Sequence, residues 1–516
     1  MRRNTHCLDT HPPLFSPQVN ERQAFKIANT KYMVGLDCGN SSFRILLGKY
    51  DGNTIETEVI DQLPNDMIRV GDFYYWDLLR MFDGFKTSLK KIARRVEKID
   101  SIGICTWGVD FALFDKSGNM ISNALSYRND IGEKYLDRLT EEQKNQMFKK
   151  TGILCDKINS VYLLRAVKDN FSEIFSITNK ILMVPDILNY FMTGKMVNEP
   201  SELSTTQLMN SSTRDICIEA CEFMDIPKSL FCKIGEHGKI IGNVKESILK
   251  EIGVDYDIPV VCVPSHDTAS AIAAIPTTED DFIFISSGTW SLIGTELDEP
   301  IINNDVLNAS LTNEVGAFNK ITLLKNSAGM FIIQRLKKEY DQSTMRENSW
   351  EDINNLANSH KGDIPLFNIN NTRFFNPLNM SEEIWSYLEE THQVTGDFNW
   401  GTIIKAVHES MASCYAITIE NIEQILNKKL ESIYIVGGGS KNIAINELTA
   451  KRTGKKVIAC SKESTALGNI ATQICAFDRK MNLKKIREVI ANSSSLKEYS
   501  STQEGLEIIE RYKKMP

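Results

Sequence analysis

Short apolar runs that end in polar turns alternate along this chain with longer segments of helical spacing. The first apolar run, residues 33–36, ends at Asp37, and two further strand-like runs follow at residues 43–50 and 54–60. The turns between them are rich in Gly, Ser and Asn, which is typical of strands joined in a meander. The pattern therefore predicts a three-stranded unit at the start of the folded chain.

A similar pattern recurs in the second half. Residues 282–285 and 290–294 read as two strands joined by a small-residue turn at residues 286–289. Two such units, each opening one half, indicate two related domains that face each other. Further strands are predicted at residues 101–105, 258–263 and 432–436, and apolar positions close to a 3.6-residue period predict helices at residues 76–96 and 402–426.

Length and composition place the chain among ordinary globular proteins. Its 516 residues are too many for one core, so two or more domains are expected. The 59 Lys and Arg against 67 Asp and Glu leave a net charge of −8, which argues against nucleic acid as a partner. No apolar run approaches the roughly 18–20 residues that span a bilayer, so no membrane association is expected. Scattered cysteines without zinc-site spacing are typical of reduced thiols in a cytoplasmic protein.

The stretch with the strongest chemical signal is residues 264–271, where an apolar strand turns into a run of small residues. Asp267 is placed there beside the start of a helix, where free backbone N–H groups favour negative charge from the carboxylate itself or from a phosphoryl group. The alternative is structural, because Asp267 or Ser265 could simply cap the helix.

Two turns have the composition of phosphate-binding loops. Residues 38–42 offer hydroxyls and approachable backbone N–H groups, and Arg44 adds fixed positive charge. Residues 286–289 form the corresponding turn of the second half, and the glycines at residues 437–439 could let the backbone press against a nucleotide. Two such turns facing one cleft would hold one nucleotide, although an exposed hairpin turn would use the same residue types.

A candidate sugar site follows the strand at residues 101–105. Trp107 could pack against the C–H groups of a sugar while Asp110 accepts hydrogen bonds from its hydroxyls, and Gly108 lies between them. The alternative is a buried tryptophan that closes the core.

From about residue 32 to residue 478, these motifs together resemble the FGGY carbohydrate kinases. Within that family, the motif residues are most similar to those of the kinases of rhamnulose. The resemblance is carried, in order, by residues 37–44, 106–111, 264–271, 286–292, 312–314, 324–326, 373–377, 436–440 and 464–469. It implies an α/β, two-domain, actin-like (ribonuclease H-like) ATPase fold with an interdomain cleft. The expected parts are a flexible extension at residues 1–30, domains at residues 31–275 and 276–480, and a helical tail at residues 481–516.

The resemblance also implies roles for individual residues. Asp267 would be the general base and Asp37 would help to place Mg²⁺, in part through water. The sugar would contact Gly108, His266 and Thr268, beside the Trp107 and Asp110 considered above. ATP would be held by Asn40, Ser41, Ser42, Phe43, Arg44, Thr289, Asn326, Gln334, Gly438 and Gly439.

The expected reaction is ATP-dependent phosphorylation of a ketose by a monomer or homodimer, with L-rhamnulose as the substrate and L-rhamnulose 1-phosphate as the product. Fuculose and xylulose are the near alternatives. A non-catalytic sugar sensor or an actin-like assembly protein is the alternative from another class, and the retained Asp267 argues against the sensor. Two positions depart from the family pattern, since Phe43 stands where a small residue is usual and Cys105 replaces a polar one.

Overall fold

The computed structural model describes residues 30–515, so the extension predicted for residues 1–30 lies, except for its last residue, outside the described part of the chain. Two large sheets organise this part. The strands of the first half are β1 Lys31–Cys38, β2 Ser42–Tyr50, β3 Ile55–Pro64, β4 Met67–Val70, β5 Phe73–Trp76, β6 Ser101–Thr106, β7 Phe111–Phe114, β8 Lys180–Met183, β9 Met209–Asn210, β10 Asp215–Ile216, β11 Ile240–Asn243 and β12 Pro259–Val261. Those of the second half are β13 Ile283–Ser287, β14 Trp290–Leu297, β15 Thr312–Val315, β16 Ile321–Ala328, β17 Ser432–Val436, β18 Lys456–Ala459 and β19 Lys497–Tyr499.

The two large sheets repeat one strand arrangement, as the sequence predicts. The first has the order β11-β12-β6-β1-β2-β3, and the second has the order β15-β16-β14-β13-β17-β18-β19. In each, the first strand pairs antiparallel with the second strand and parallel with a later one, β6 or β17. That later strand in turn pairs with a further parallel strand, which is β12 in the first sheet and β18 in the second. The predicted internal repeat is therefore confirmed as a repeat of topology.

Helices connect and cover the strands. Those of the first half are Leu78–Ala93, Glu133–Leu136, Glu141–Thr151, Ser160–Asn170, Ser172–Ser176, Val184–Thr193, Pro200–Ser204, Ile218–Phe223, Glu246–Ile252 and Asp267–Ala273. Those of the second half are Asn304–Asn308, Phe331–Thr344, Trp350–Leu356, Met380–Glu390, Trp400–Leu426, Ile443–Thr453, Ser464–Gln473, Leu483–Ser493 and Leu506–Lys513. Across residues 30–515, no helix has the length and apolar character needed to cross a membrane.

Amphipathic spacing explains how the helix Leu78–Ala93 covers one face of the first sheet. Its buried positions include Met81, Phe85 and Leu89, which recur at intervals of four residues and so lie on one side of the helix. Asp77 caps the helix by accepting a hydrogen bond from the backbone N–H of Arg80. The apolar side of this helix packs against β2 and β3.

The other face of the first sheet is covered by a helix from the second half of the chain. The helix Ser464–Gln473 packs against β1, β6 and the helix Asp267–Ala273. The side-chain amide of Asn469 donates to the carbonyl oxygen of Leu36 at 3.2 Å, and that of Gln473 donates to Val34 at 3.1 Å. Hydrogen bonds to strand carbonyls therefore join the two halves beneath the residues that end β1.

The crossing of these two helices depends on Gly468. A Cβ atom at this position would lie 1.9 Å from the carbonyl oxygen of Ser270, which is a backbone atom of the helix Asp267–Ala273 and cannot rotate away. Gly468→Ala should therefore separate the helices and lower the free energy of unfolding by about 1–3 kcal/mol or more.

Thermal melting of Gly468→Ala beside Gly438→Ala checks this expectation. A Cβ at Gly438 would have no neighbour within 4 Å, so that variant should melt close to the parent. Equal melting temperatures for both variants would contradict the close crossing.

Candidate active site

Asp267 lies at the first position of the helix Asp267–Ala273, and the segment that joins this helix to β12 contains the buried Ser265. The backbone N–H of Thr106 donates to the carbonyl oxygen of Ser265 at 2.8 Å, and Thr106 forms a parallel bridge with His266. The end of β6 therefore holds this turn in place. The two segments singled out from the sequence, residues 106–111 and 264–271, meet here.

The carboxylate of Asp267 does not cap its helix. The N-cap residue is His266, no side-chain capping bond is made there, and the Asp267 side chain is 38% exposed. The hydroxyl of Thr268 donates to Asp267 Oδ1 at 3.3 Å, and His266 Nε2 lies 3.5 Å from the same oxygen. The structural alternative considered for Asp267 and Ser265 is therefore wrong, and the carboxylate is left open to a ligand.

Gly108 allows the neighbouring segments to approach this turn. A Cβ atom there would lie 2.9 Å from Cγ2 of Thr205 and 3.2 Å from Cδ2 of His266. The next residue, Val109, has a φ of 73°, which is strained for a β-branched side chain. The Thr205 hydroxyl accepts from the Val109 N–H at 2.9 Å, and the Ser160 hydroxyl donates to the Val109 carbonyl at 2.5 Å. Buried hydroxyls thus hold a strained backbone beside His266.

Trp107 and Asp110 lie beneath the site and have no open surface toward it. Both indole N–H groups of Trp76 and Trp107 donate to Asp110 Oδ2, at 2.5 and 2.9 Å, and the Tyr127 backbone N–H donates to Oδ1 at 2.7 Å. Asp110 is fully buried, and burial raises its pKa to about 7 although these hydrogen bonds act to lower it. The predicted sugar platform at Trp107 and sugar contact at Asp110 are therefore corrected, and the buried-tryptophan alternative holds.

Asp37, Arg44 and Glu463 form an ion-paired group at the end of β1. The guanidinium of Arg44 pairs with both carboxylates, so it joins a strand of the first half to the residue that precedes the helix Ser464–Gln473. Burial raises the pKa of Asp37 to about 6, Arg44 opposes that rise, and the nearby charge of Asp267 adds to it. The predicted metal residue and the predicted base thus lie close enough to influence each other.

The predicted phosphate turn after β1 is held by one hydrogen bond within the turn and by another from Asn65. The Gly39 N–H donates to the Ser42 carbonyl at 3.0 Å, and the Asn65 side chain donates to the Gly39 carbonyl at 2.8 Å. Ser41 is exposed, and Oδ1 of Asn40 is buried without a hydrogen-bond partner among the described residues. A held turn with an unused polar atom is suited to a ligand that supplies the missing contact.

Phe43 does not belong to this turn. Its side chain is buried in the core of the first half, and a Cβ atom added to Gly84 on the covering helix would lie 3.1 Å from its ring. Since successive strand residues point to opposite faces, Phe43 faces the helix Leu78–Ala93 while Arg44 faces Glu463 on the other side of the sheet. The prediction that Phe43 contacts the nucleotide is therefore wrong for its side chain, which lies in the core. Cys105 is likewise buried, against Asn469 and Leu36.

The predicted nucleotide residues of the second half gather around the turn between β13 and β14. Gly439 lies so close to Ser287 at the end of β13 that a Cβ atom would meet the Ser287 hydroxyl at 1.9 Å. Thr289, Gly438, Asn326 and Gln334 are exposed. The backbone N–H of Phe331, which begins the helix carrying Gln334, points to the Thr289 carbonyl at 3.4 Å. The turn at residues 286–289, the glycines at residues 437–439 and the start of the helix Phe331–Thr344 therefore lie in one region.

Sequence reasoning missed three carboxylates near Asp267. Glu314 Oε2 lies 3.5 Å from His266 Nδ1, and burial raises the pKa of Glu314, with the charge of Asp267 adding to the rise. Glu463 pairs with Arg44, as described above. Glu314 stands within a motif that carries the family resemblance, and Glu463 directly precedes another, so position was a usable signal. Their facing partners, however, come from distant segments.

Glu202 is the third, and no sequence signal marks it. It is fully buried in the helix Pro200–Ser204, and neither carboxyl oxygen has a hydrogen-bond partner in the described chain. Burial, with the charges of Glu199, Asp186, Asp267 and Asp110, raises its pKa well above the ordinary value. Burial without a hydrogen-bond partner therefore favours the neutral form of Glu202.

Comparison with known families covers nearly the whole described chain. Residues 32–273 match the N-terminal domain of the FGGY family of carbohydrate kinases, and residues 283–477 match its C-terminal domain. The chain is 34% identical over 476 residues to a rhamnulokinase of Oceanobacillus iheyensis, covering 92% of this chain and 99% of that protein. It is 34% identical over 468 residues to a rhamnulokinase of Bacteroides thetaiotaomicron, covering 90% and 94% respectively.

Solved structures share the fold at much lower identity. The gluconate kinase of Lactobacillus acidophilus superimposes with a TM-score of 0.76 at 18% identity, covering 94% of this chain and 96% of that one. The glycerol kinase of Plasmodium falciparum with ADP gives a TM-score of 0.75 at 14% identity, with the same coverage. The predicted α/β, two-domain, actin-like fold is confirmed.

Phe43 and Ser41 provide a paired test of the first turn. Phe43→Ala removes a core side chain and should cost about 3–5 kcal/mol of stability while leaving the Michaelis constant for ATP unchanged. Ser41→Ala should have the opposite effect, with an unchanged melting temperature and a raised constant for ATP. Melting curves and initial rates measure both. A weaker ATP interaction in a folded Phe43→Ala protein would overturn the core placement.

Glu202 should make stability depend on pH. In the unfolded chain its pKa is near 4.5, whereas burial raises its pKa in the folded chain, so stability is lost as the pH rises above the unfolded value. Glu202→Gln cannot ionise, and its advantage over the parent should grow by about 1.4 kcal/mol per pH unit above that point. Denaturant unfolding between acid and neutral pH measures the difference. The exposed Glu246→Gln is the control, and an advantage independent of pH would refute the neutral acid.

Proposed function

The chain belongs to the FGGY family of carbohydrate kinases, and on this premise we propose that it transfers the γ-phosphoryl group of ATP to a ketose, with L-rhamnulose as its substrate. As a carbohydrate kinase it is an enzyme, so the sensor and assembly alternatives are set aside. The domain limits of residues 31–275 and 276–480, with a tail from 481, stay a prediction.

The observation that carries the proposal is the uncapped, partly exposed carboxylate of Asp267 next to the Asp37–Arg44 pair. A general base for a sugar hydroxyl needs an oxygen free to accept a proton, close to where the phosphate is held. Asp267 offers such an oxygen, since the Thr268 hydroxyl at 3.3 Å and His266 Nε2 at 3.5 Å both approach Oδ1 and leave Oδ2 without a side-chain donor among residues 30–515. In the proposed reaction Asp267 accepts the hydroxyl proton as the sugar oxygen attacks the γ-phosphorus.

Positioning accounts for much of such a phosphoryl transfer, and the chain supplies it from both halves. The turn at residues 39–42 and Arg44 would hold phosphate oxygens from the first half. Thr289, Asn326, Gln334, Gly438 and Gly439 would hold the nucleotide from the second half. His266 and Gly108 would contact the sugar beside the base, and Thr268 would act through its bond to Asp267.

Asp37 is the residue proposed to help hold Mg²⁺. The described residues contain no cluster of three or more ligating side chains, which suits an ion held by one carboxylate, by waters and by nucleotide phosphates. When bound, the ion would neutralise charge that develops on the transferred phosphoryl group. The buried position of Asp37 and its pairing with Arg44 keep this carboxylate oriented at the end of β1.

L-Rhamnulose is proposed over other ketoses because the rhamnulokinases match this chain at 34% identity across 90% or more of its length. The gluconate and glycerol kinases share its fold at less than 20% identity and so do not bear on the choice. A panel of L-rhamnulose, L-fuculose and D-xylulose, assayed for ADP release, tests the choice. The highest kcat/KM is expected for L-rhamnulose, and a higher value for either other sugar would overturn it.

Asp267→Asn tests the base. The amide keeps the size and polarity of the side chain but cannot take up the proton, so turnover should fall by roughly 10²- to 10⁴-fold. ATP and sugar should still bind, and the melting temperature should stay close to the parent because no cap is lost.

Asp305→Asn is the matched control, since Asp305 is also an exposed acid in the first turn of a short helix. It should keep full turnover. A folded Asp267→Asn protein with nearly normal turnover would sink the proposed mechanism.

A further inference from the structure

A buried hydrogen-bonded pair of His237 and Glu199 lies behind the turn that carries Asp267. His237 Nε2 lies 2.5 Å from Glu199 Oε1, and the two side chains are 1% and 2% exposed. Nothing assigned to the reaction above uses either residue. A charged group removed so completely from water needs a structural or functional partner on every side.

Glu199 connects this pair to the catalytic turn through Ser201. The Ser201 hydroxyl donates to Glu199 Oε2 at 2.7 Å and accepts from the backbone N–H of His266 at 3.0 Å. Ser201 is fully buried. The backbone N–H that Ser201 holds belongs to the residue immediately before Asp267, so a shift of this hydroxyl would move the base.

The other end of the pair reaches the second half of the chain. The backbone N–H of Phe318 donates to His237 Nδ1 at 2.8 Å. Since Nδ1 accepts, the ring proton is on Nε2 and is donated to Glu199. Phe318 and Asn319 have φ angles of 52° and 64°, in the left-handed region that non-glycine residues seldom adopt, so this turn needs fixed partners to persist. The Phe318 ring also packs edge-on against His237, with centroids 5.8 Å apart.

We propose that Ser201, Glu199 and His237 are positioning residues that tie the His266–Asp267 turn to the strained turn at Phe318 in the second half. The proposal rests on the assignment of Asp267 as the base. Continuous hydrogen bonds run from the Phe318 N–H through His237, Glu199 and Ser201 to the His266 N–H. The base in one half is thereby placed relative to the half that holds the nucleotide.

The expected consequence is a loss of turnover without a loss of sugar or ATP binding. A small misplacement of a base can cost up to roughly 10²-fold in rate, while ligand contacts elsewhere are unchanged. Ser201→Ala should lower kcat by about 10-fold or more and leave both Michaelis constants nearly unchanged. Ser201→Thr, which keeps the hydroxyl, should recover most of that loss.

Ser101→Ala is the matched control for a buried serine that links the two halves. Its hydroxyl donates to Gln473 at 2.6 Å, but it lies at the start of β6, the end opposite the site. It should lower the melting temperature as much as Ser201→Ala does and leave kcat unchanged. An equal loss of kcat in both variants would show general loosening and overturn the proposal.

His237→Asn tests the connection itself. The asparagine oxygen occupies the place of Nδ1 and can accept from Phe318, but the bond that Nε2 donates to Glu199 Oε1 is lost. If the residues act as one unit, His237→Asn should lower kcat as Ser201→Ala does, and the double variant should be no slower than the slower single variant. Independent, multiplying losses would overturn the connection.

Two further outcomes are decisive. If Ser201→Ala does not fold, a folded His237→Asn protein with normal kcat overturns the proposal by itself. Asp267→Asn, measured in parallel, separates the two claims. Normal turnover there refutes the base, whereas low turnover there with normal turnover in Ser201→Ala refutes only the positioning residues.

Discussion

The structure depends on one close backbone contact, where Gly468 lies against the carbonyl oxygen of Ser270. Because no side chain separates them, the helix Ser464–Gln473 of the second half lies directly on the helix that begins with Asp267. Glu463, the residue before the helix Ser464–Gln473, then forms an ion pair with Arg44. The hydroxyl of Thr465 on the same helix donates to the Asp267 carbonyl at 3.4 Å. A single helix crossing thus brings Arg44, which is proposed to hold phosphate, and the proposed base to one end of the first sheet.

Buried polar groups give this end its rigidity. Asp110 accepts three hydrogen bonds beneath the site, and hydroxyls from Ser160 and Thr205 hold Val109 in a strained conformation. Such groups contribute little net stability for their number, because each must first be taken out of water. Their effect is to fix where backbone atoms lie. The site of a phosphoryl transfer needs that fixing, since its rate depends on the alignment of two reactants.

Much of the fold and part of the site could be predicted from the sequence. Strand runs that end in Gly- and Ser-rich turns gave the repeated topology, since these are local signals of period and turn chemistry. Asp267, His266 and Gly108 were placed together correctly. Trp107 and Asp110 were misjudged because spacing does not reveal that Trp76, from an earlier strand, donates to the same carboxylate. Phe43 was misjudged because its facing partner, Gly84, is distant in sequence, and the same reason hid Glu202 and Glu314.

We propose that this site transfers a phosphoryl group from ATP to the first hydroxyl of L-rhamnulose. Phosphorus NMR of the chain with both compounds and Mg²⁺ measures this most directly. One sugar phosphate ester at carbon 1 is expected to form at the same rate as ADP. ADP that forms without an ester, or an ester at another carbon, would contradict the proposed reaction.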